Sequence, residues 1–322
     1  MQQLSPSQRL SPLRLMHAMF WALGASIAYG FLAYFVVAVI EGDKESLHFA
    51  TAFVTTSHTF LSLGLILGSA WIVFRSQSVI PDTIEAAFAK DELDGTDYFS
   101  NKDRFRSRIR SLTFSAVYMA VAYVLFTASH FRLTPVADTF MMLAVSTEYA
   151  LGVYVGRKLA YAAMMLHSLS NLTVSKNLFR DRELDVINLY VHIASTLTII
   201  FVYAHVRGYF SGDYLFDSRF GSNVRTFLLL PAFIATPVLV IFNLYTRSVL
   251  RKLYAQSIDV EMHRLQAALQ TRTLTVFERM SYLLEVDKLS RDEVRHSLQL
   301  TLNDLPIGIA ILAMILQPLL SK

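Results

Sequence analysis

Residues 15–40 read LMHAMFWALGASIAYGFLAYFVVAVI, an apolar run without a single Asp, Glu, Lys or Arg. A helix of about 20 such residues crosses a hydrocarbon core roughly 30 Å thick. The run follows Arg9 and Arg14, but it is longer than the apolar core of a signal peptide and no small-residue cleavage pattern ends it. We therefore predict that residues 15–40 form a retained signal anchor that spans the membrane.

The rest of the chain repeats this pattern. Hydrophobic residues make up 54% of the 322 residues and charged residues 17%, whereas an average soluble domain carries about 25% charged residues. Together with the first run, the sequence predicts an all-α, polytopic transmembrane bundle of six spans in residues 1–246. The five further apolar runs are residues 49–74, 111–130, 135–156, 186–206 and 226–246.

Lysine and arginine are divided unevenly between the segments that join these runs. Seventeen lie in the N-terminus, the loop 75–110, the loop 157–185 and the first residues after 246, while five lie in the alternate loops. Cytoplasmic segments of membrane proteins are enriched in these residues. The split places both termini in the cytoplasm, most simply at a bacterial inner membrane. Because the basic residues are spread between apolar runs instead of forming one patch, no nucleic-acid partner is expected.

The tail after the sixth run, residues 247–304, is predicted to be cytoplasmic and helical. Apolar residues recur at spacings of three and four from Leu250 to Leu269 and share one helix face. Thr275 with Glu278, and Ser290 with Glu293, have capping-box spacing, so we expect about three helices. The apolar face either drives self-association into a homo-oligomer or packs on the cytoplasmic loops.

A shorter apolar segment, residues 305–320, follows the tail. It is too short for a confident span and contains Pro306, Gln317 and Pro318. We expect this segment to lie at the membrane interface or to pack on the bundle, with a seventh span as the alternative.

The cytoplasmic loop 75–110 carries two further signals. Asp82 follows Pro81 and precedes Glu85 by three residues, a spacing that predicts a short helix beginning at Asp82. The loop ends in a basic run beside the third span, where anionic lipid is a possible partner in addition to the bilayer itself. That run consists of Arg104, Arg106, Arg108 and Arg110.

Glu148 is the first candidate for function, because a carboxyl inside a bilayer costs roughly 2.5 to 3.5 kcal/mol on insertion scales. It lies deep in the fourth predicted span and shares one helix stripe with Gly152 and Gly156, a pair that permits close helix packing. Glu148 is therefore expected to face a helix crossing or a cavity. Two interpretations remain open: a carboxylate that carries protons or coordinates ions, and a paired carboxyl that fixes helix register.

The second predicted span provides the other candidate residues. A polar stripe along it is expected to face the bundle interior, either as part of an ion or proton path or as ordinary interhelical hydrogen bonding. The stripe consists of Thr51, Thr55, His58, Ser62 and Ser69. Gly64 and Gly68 form a second close-packing pair on another face, so this span is predicted to be a central helix.

Several chemistries find no support in the sequence. The chain has no cysteine, which excludes disulfides, thiolate metal sites and cysteine nucleophiles. No metal site is predicted. His192 and His205 are thirteen residues apart and point to nearly opposite faces of one helix, so haem is unlikely and no cofactor is expected.

Three function classes remain after these exclusions. The leading hypothesis is an ion-conducting or permeation protein that uses the polar groups of the second and fourth spans. The alternatives are a non-catalytic membrane sensor or assembly factor that signals through the helical tail, and an intramembrane redox protein. No catalytic residue is predicted.

Overall fold

The computed structural model describes residues 12–41, 60–127, 135–170, 172, 187–200, 221–271 and 275–302, and every regular element within them is an α-helix. We number the helices in chain order. They are α1 (Pro12–Glu41), α2 (Phe60–Ala87), α3 (Lys90–Asp94), α4 (Tyr98–Arg106), α5 (Arg108–Thr127), α6 (Pro135–Leu169), α7 (Ile187–Ile200), α8 (Gly221–Thr271) and α9 (Val276–Leu302).

Two of the described helices are long and apolar enough to cross a membrane, Met19–Ile40 in α1 and Leu63–Ala87 in α2. The other four predicted spans are helical wherever the structure describes them. In α1 the usual pattern of a soluble helix is inverted. Phe20, Trp21 and Phe31 are 68%, 77% and 70% exposed, whereas Ser26 is fully buried. This is the distribution expected of a helix whose outer face meets lipid.

Helix α2 packs against α1 at the two glycines predicted to permit close approach. A methyl group added at Gly64 would lie 2.8 Å from Leu23 Cδ2, and one added at Gly68 would lie 2.6 Å from Met19 Sδ. Gly64 thus faces Leu23 while Gly68, one turn later, faces Met19, so the two helices are antiparallel. Hydrogen bonds from α2 to α7 leave from another face, which makes α2 a central helix among the described elements.

Replacing Gly68 with leucine should separate α1 from α2. The new side chain would enter space that Met19 and Ala22 occupy, and overpacking of this kind costs about 1 to 3 kcal/mol. We expect a lower temperature of thermal unfolding in detergent and faster proteolysis between the two helices. Gly95→Leu is the matched control, because a methyl group there meets no atom within 4 Å. Equal stability of the two variants would contradict this packing.

Helix α2 continues well beyond the predicted end of the second span. It runs through Pro81 to Ala87, so the prediction of a separate short helix beginning at Asp82 is wrong. Asp82 and Glu85 lie inside α2 and form ion pairs with Arg106 and Lys102 of α4. Pro81 lacks the N–H that would bond to the carbonyl of Gln77, four residues earlier. Arg106 of α4 supplies a donor to that carbonyl instead.

Helices α6 and α8 also outlast the spans predicted in them. Helix α6 is about 52 Å long at 1.5 Å per residue and continues past the predicted end of the fourth span to Leu169. Helix α8 passes without interruption from the sixth predicted span into the tail. Thr275 and Glu278 form the predicted capping box at the start of α9. The second predicted cap, at Ser290, is wrong, because Ser290 lies within α9 and the described tail has two helices.

The buried core joins α2, α4, α6, α7 and α8. Its members include Ile80, Phe105, Leu166, Val191 and Leu253, one from each of these helices. Helix α4 therefore does not hang free as part of a solvated loop but packs on α6 and α2. This packing brings the polar residues of α2 and α6 close to the loop that precedes α5.

Candidate functional site: a buried polar chain along α2 and α6

Ser69 begins a series of buried polar contacts along α2. Its hydroxyl lies 2.9 Å from Thr198 Oγ1 and 3.3 Å from the carbonyl oxygen of Ala194, both on α7. Ser69 is fully buried, and Thr198 also donates to Ala194 O at 2.7 Å. Ser69 is the one residue of the predicted polar stripe whose side chain is described, and it faces the bundle interior, not lipid.

Gln77 continues the series two turns further along α2. Its Nε2 donates to the hydroxyl of Tyr154 on α6 at 2.6 Å, and both side chains are buried. Tyr29 of α1 donates to Phe140 O at 2.6 Å near the other end of α6. Since α1 and α2 are antiparallel, these two contacts show that α6 runs parallel to α2.

Arg106 connects this series to the protein surface. Its Nε donates to Gln77 O at 3.4 Å, and its Nη2 lies 2.7 Å from Asp82 Oδ1. Gln77 O is the carbonyl that would accept from the residue at position 81, where Pro81 has no N–H to donate. The arginine side chain therefore satisfies the backbone oxygen that the proline leaves open, and the Asp82 carboxylate holds the guanidinium there.

A second set of contacts fastens the start of α4 to the same part of α2. The hydroxyl of Tyr98 lies 3.2 Å from Pro81 O and 3.3 Å from Glu85 Oε1, and Lys102 pairs with Glu85. Burial, together with the Glu85 carboxylate, raises the pKa of Tyr98 well above its ordinary value. The phenol consequently remains a protonated donor throughout the physiological range.

Lys158 of α6 holds the other end of α4. Its fully buried ammonium donates to the carbonyl oxygens of Arg104, Phe105 and Ser107, the last at 2.9 Å. These carbonyls belong to the end of a helix, where a positive charge is favoured. Burial, and secondarily the adjacent Arg157, lowers the pKa of Lys158 to about 8. The lysine thus acts as a cap between two helices that lie far apart in sequence.

Glu148 is fully buried on α6, as is Ser146 two positions earlier. Glu148 precedes Tyr154 by six residues, or about 9 Å along the helix, and Ser69 precedes Gln77 by eight, or about 12 Å. Because α2 and α6 are parallel, Glu148 and Ser69 lie at similar depth, beyond the Gln77–Tyr154 contact. The polar groups thus extend from Glu148 and Ser69 to Asp82 and Arg106 at the surface.

The remaining predicted site residues are only partly described. Thr51, Thr55 and His58 lie outside the described residues, as does the side chain of Ser62. A methyl group at Gly156 would meet no atom within 4 Å, so no close helix approach is seen there among the described residues.

The basic run from Arg104 to Arg110 extends from the end of α4 into the start of α5. Arg104 is exposed, and Arg106 is occupied by Asp82 and Gln77 O. The side chains of Arg108 and Arg110 lie outside the described part of the chain.

Two histidines of the described helices, including the haem candidate His192, contact side chains of α8. His167 Nδ1 contacts the hydroxyl of Tyr245, and His192 Nδ1 contacts the guanidinium of Arg247. His205 lies outside the described residues. Across the described ranges, no three His, Asp or Glu side chains are grouped as they would be to hold a metal ion.

Sequence reasoning missed Gln77, Tyr154 and Lys158. A signal was present for Lys158, which interrupts an apolar helix beside Arg157, but the carbonyls that it binds lie more than 50 residues away. Gln77 and Tyr154 gave no signal, since each is ordinary near the end of a predicted span. Comparison with known proteins adds nothing to this picture: the chain matches no protein family, no curated protein and no solved structure.

Proposed function

We propose that this chain is a six-span integral membrane protein that conducts an ion or protons through the interior between α2 and α6. In this proposal it resides in a bacterial inner membrane, with its N-terminus and tail in the cytoplasm. The two long apolar helices and the outward-facing aromatic residues of α1 support the membrane assignment. The bilayer is its principal partner, anionic lipid binds near Arg104, and no cofactor is required.

The observation that carries the proposal is the alignment of buried polar groups along the parallel helices α2 and α6. An ionisable residue within a membrane helix generally faces the bundle interior and marks an ion or proton path. Here Glu148 and Ser69 lie at similar depth, Gln77 and Tyr154 are in contact about 9 to 12 Å nearer one end, and Arg106 with Asp82 reaches the surface. If the buried polar groups ended at Glu148 and did not reach the surface, they would serve helix packing alone.

The direct test is flux through the purified protein in lipid vesicles. A pH-sensitive dye inside the vesicles reports proton entry under an imposed potential, and potassium- and sodium-selective dyes report the cations. We expect protein-dependent flux of one of these ions, above that of vesicles reconstituted with heat-denatured protein. Equal leakage from both preparations for all three ions would refute the proposal.

A second function is favoured by the uninterrupted course of α8. A helix that passes from the sixth predicted span into the tail transmits rotation or displacement between them, as a sensor or assembly factor requires. Removing residues 272–322 distinguishes the two functions. A conducting protein keeps its flux without this segment, whereas a sensor loses its signalling or its binding to a second copy of the chain. Unchanged self-association and unchanged cellular phenotype would exclude the sensor.

A further inference from the structure

Helices α7 and α8 meet at a cluster of polar side chains that the proposed path does not use. Arg247 of α8 is 3% exposed, and its Nη2 contacts Nδ1 of His192 on α7. Asn243, Thr246 and Arg247 fall within an arc of about 100° around the axis of α8. On α7, Ser195 and Thr196 lie within about 60° of His192 around the helix axis. We call these six residues the α7–α8 cluster.

Four members of this cluster present buried polar atoms that form no hydrogen bond within the described part of the chain. They are both amide atoms of Asn243 and the hydroxyls of Ser195, Thr196 and Thr246. Asn243 is 1% exposed, and Ser195 and Thr246 are fully buried. Buried polar groups in native proteins nearly always have partners, and leaving one unsatisfied costs about 1 to 3 kcal/mol. Several such groups within one turn of the His192–Arg247 contact are therefore unexpected in a region that serves packing alone.

The chemistry of the cluster identifies what these groups bind. Since Arg247 donates to Nδ1 of His192, the imidazole is neutral and carries its proton on Nε2. The cluster thus offers a guanidinium, an amide N–H₂, an imidazole N–H and three hydroxyls. That is more donors than the two oxygens of a carboxylate accept, and arginine with hydroxyl donors is the usual combination for a phosphate.

We propose that the α7–α8 cluster binds a phosphate group, with Arg247 and Asn243 as its principal donors. Thr198, about 120° around α7 from His192, contacts Ser69 in the polar chain described above and takes no part. The phosphate is either the headgroup of an anionic lipid that enters between the two helices or a free phosphate ion. This proposal does not rest on ion conduction and holds for a sensor as well.

Two measurements on the full-length protein test the proposal. The first follows thermal unfolding in detergent as sodium phosphate replaces sodium chloride at constant ionic strength, because a ligand that binds only the folded state raises the unfolding temperature in a saturable manner. The second uses native mass spectrometry to count lipids retained from nanodiscs of phosphatidylcholine alone or with phosphatidic acid.

Asn243→Leu and Arg247→Met should each weaken binding about tenfold or more, the effect of losing one hydrogen bond to a charged group. Leucine has the same branched arrangement of heavy atoms as asparagine but bulkier ends, and it removes the unsatisfied amide atoms, so thermal unfolding of Asn243→Leu without phosphate is measured to show that the variant remains folded. Thr198→Val is the matched control and should bind as the wild type does, because the Thr198 hydroxyl contacts Ser69 and Ala194 O about 120° around α7 from His192.

Each possible result of these measurements supports or contradicts the phosphate site. A saturable phosphate effect that is lost in the two variants supports a site for the free ion. Retention of phosphatidic acid by the wild type and Thr198→Val, but not by the two variants, supports a lipid headgroup site. If neither ligand binds, or if both variants bind as tightly as Thr198→Val does, the proposal is wrong, whatever the flux measurements show.

Discussion

Glu148→Gln should lower ion flux in reconstituted vesicles by at least about tenfold, equivalent to roughly 1.4 kcal/mol in the barrier to transfer. Glutamine has the same shape as glutamate but neither exchanges a proton nor carries a negative charge. Glu148 is fully buried in α6, at a similar depth to Ser69 of α2, so water cannot substitute for the missing carboxylate. The measurement is dye-reported flux at matched protein content per vesicle.

Glu285→Gln is the control, since it makes the same chemical change on the exposed surface of α9. Glu148→Asp keeps a carboxylate one methylene shorter and should retain part of the flux. Thermal unfolding of all three variants separates loss of function from loss of fold. Should Glu148→Gln conduct as the wild type does while remaining folded, the carboxyl would serve helix register instead of conduction.

Lys158→Met should destabilise the protein by about 2 to 3 kcal/mol and release α4 from the bundle. Methionine matches the length of the lysine stem but donates no hydrogen bond, so the carbonyls of Arg104, Phe105 and Ser107 lose their donor. Hydrogen bonds to a charged group contribute about 1.5 to 3 kcal/mol, and unsatisfied buried acceptors add a penalty. Thermal unfolding measures the stability, and limited proteolysis within residues 88–107 measures the release.

Lys90→Met is the matched control, because Lys90 is exposed at the start of α3 and its loss should change stability by less than about 0.5 kcal/mol. If the two lysine variants were equally stable and equally resistant to protease, Lys158 would not hold α4 in place.

The sequence predicted helices well where local chemistry determines them. The apolar run in α1 and the capping box at Thr275 depend on residues within a few positions of one another, and both are present. Ser290 failed as a cap because a favourable cap residue also tolerates a helix interior when nothing nearby stops the helix.

The course of α2 shows where local signals stop being sufficient. Arg75 and Pro81 both suggested that the helix ends, and Asp82 suggested that another begins. Helix α2 passes all three because Tyr154 binds Gln77, and because Arg106 supplies the donor that Pro81 lacks. These partners come from helices that lie 29 and 77 positions away in the chain, and no pattern in α2 itself announces them.

The candidate site likewise has features that local sequence signals predict and features that depend on residues far apart in the chain. Burial of Glu148 and Ser69 agrees with the expectation that polar residues of membrane helices face inward. Their connection to the surface depends on how α4 is docked, which is determined by Lys158 and by the carbonyls at the end of α4. A lysine beside an arginine at a membrane boundary is fully explained by topology, so its second role is visible only in three dimensions.

The order in which the chain is synthesised gives the docking of α4 a further significance. Tyr98 and Arg106 reach partners in α2 only 13 to 29 positions earlier, so these contacts can form while α5 and α6 are still being made. Lys158 joins 51 to 54 positions later and closes the assembly. Arg106, synthesised soon after Pro81, thus supplies the hydrogen-bond donor for Gln77 O. This carbonyl of α2 can be hydrogen-bonded before the rest of the protein is complete.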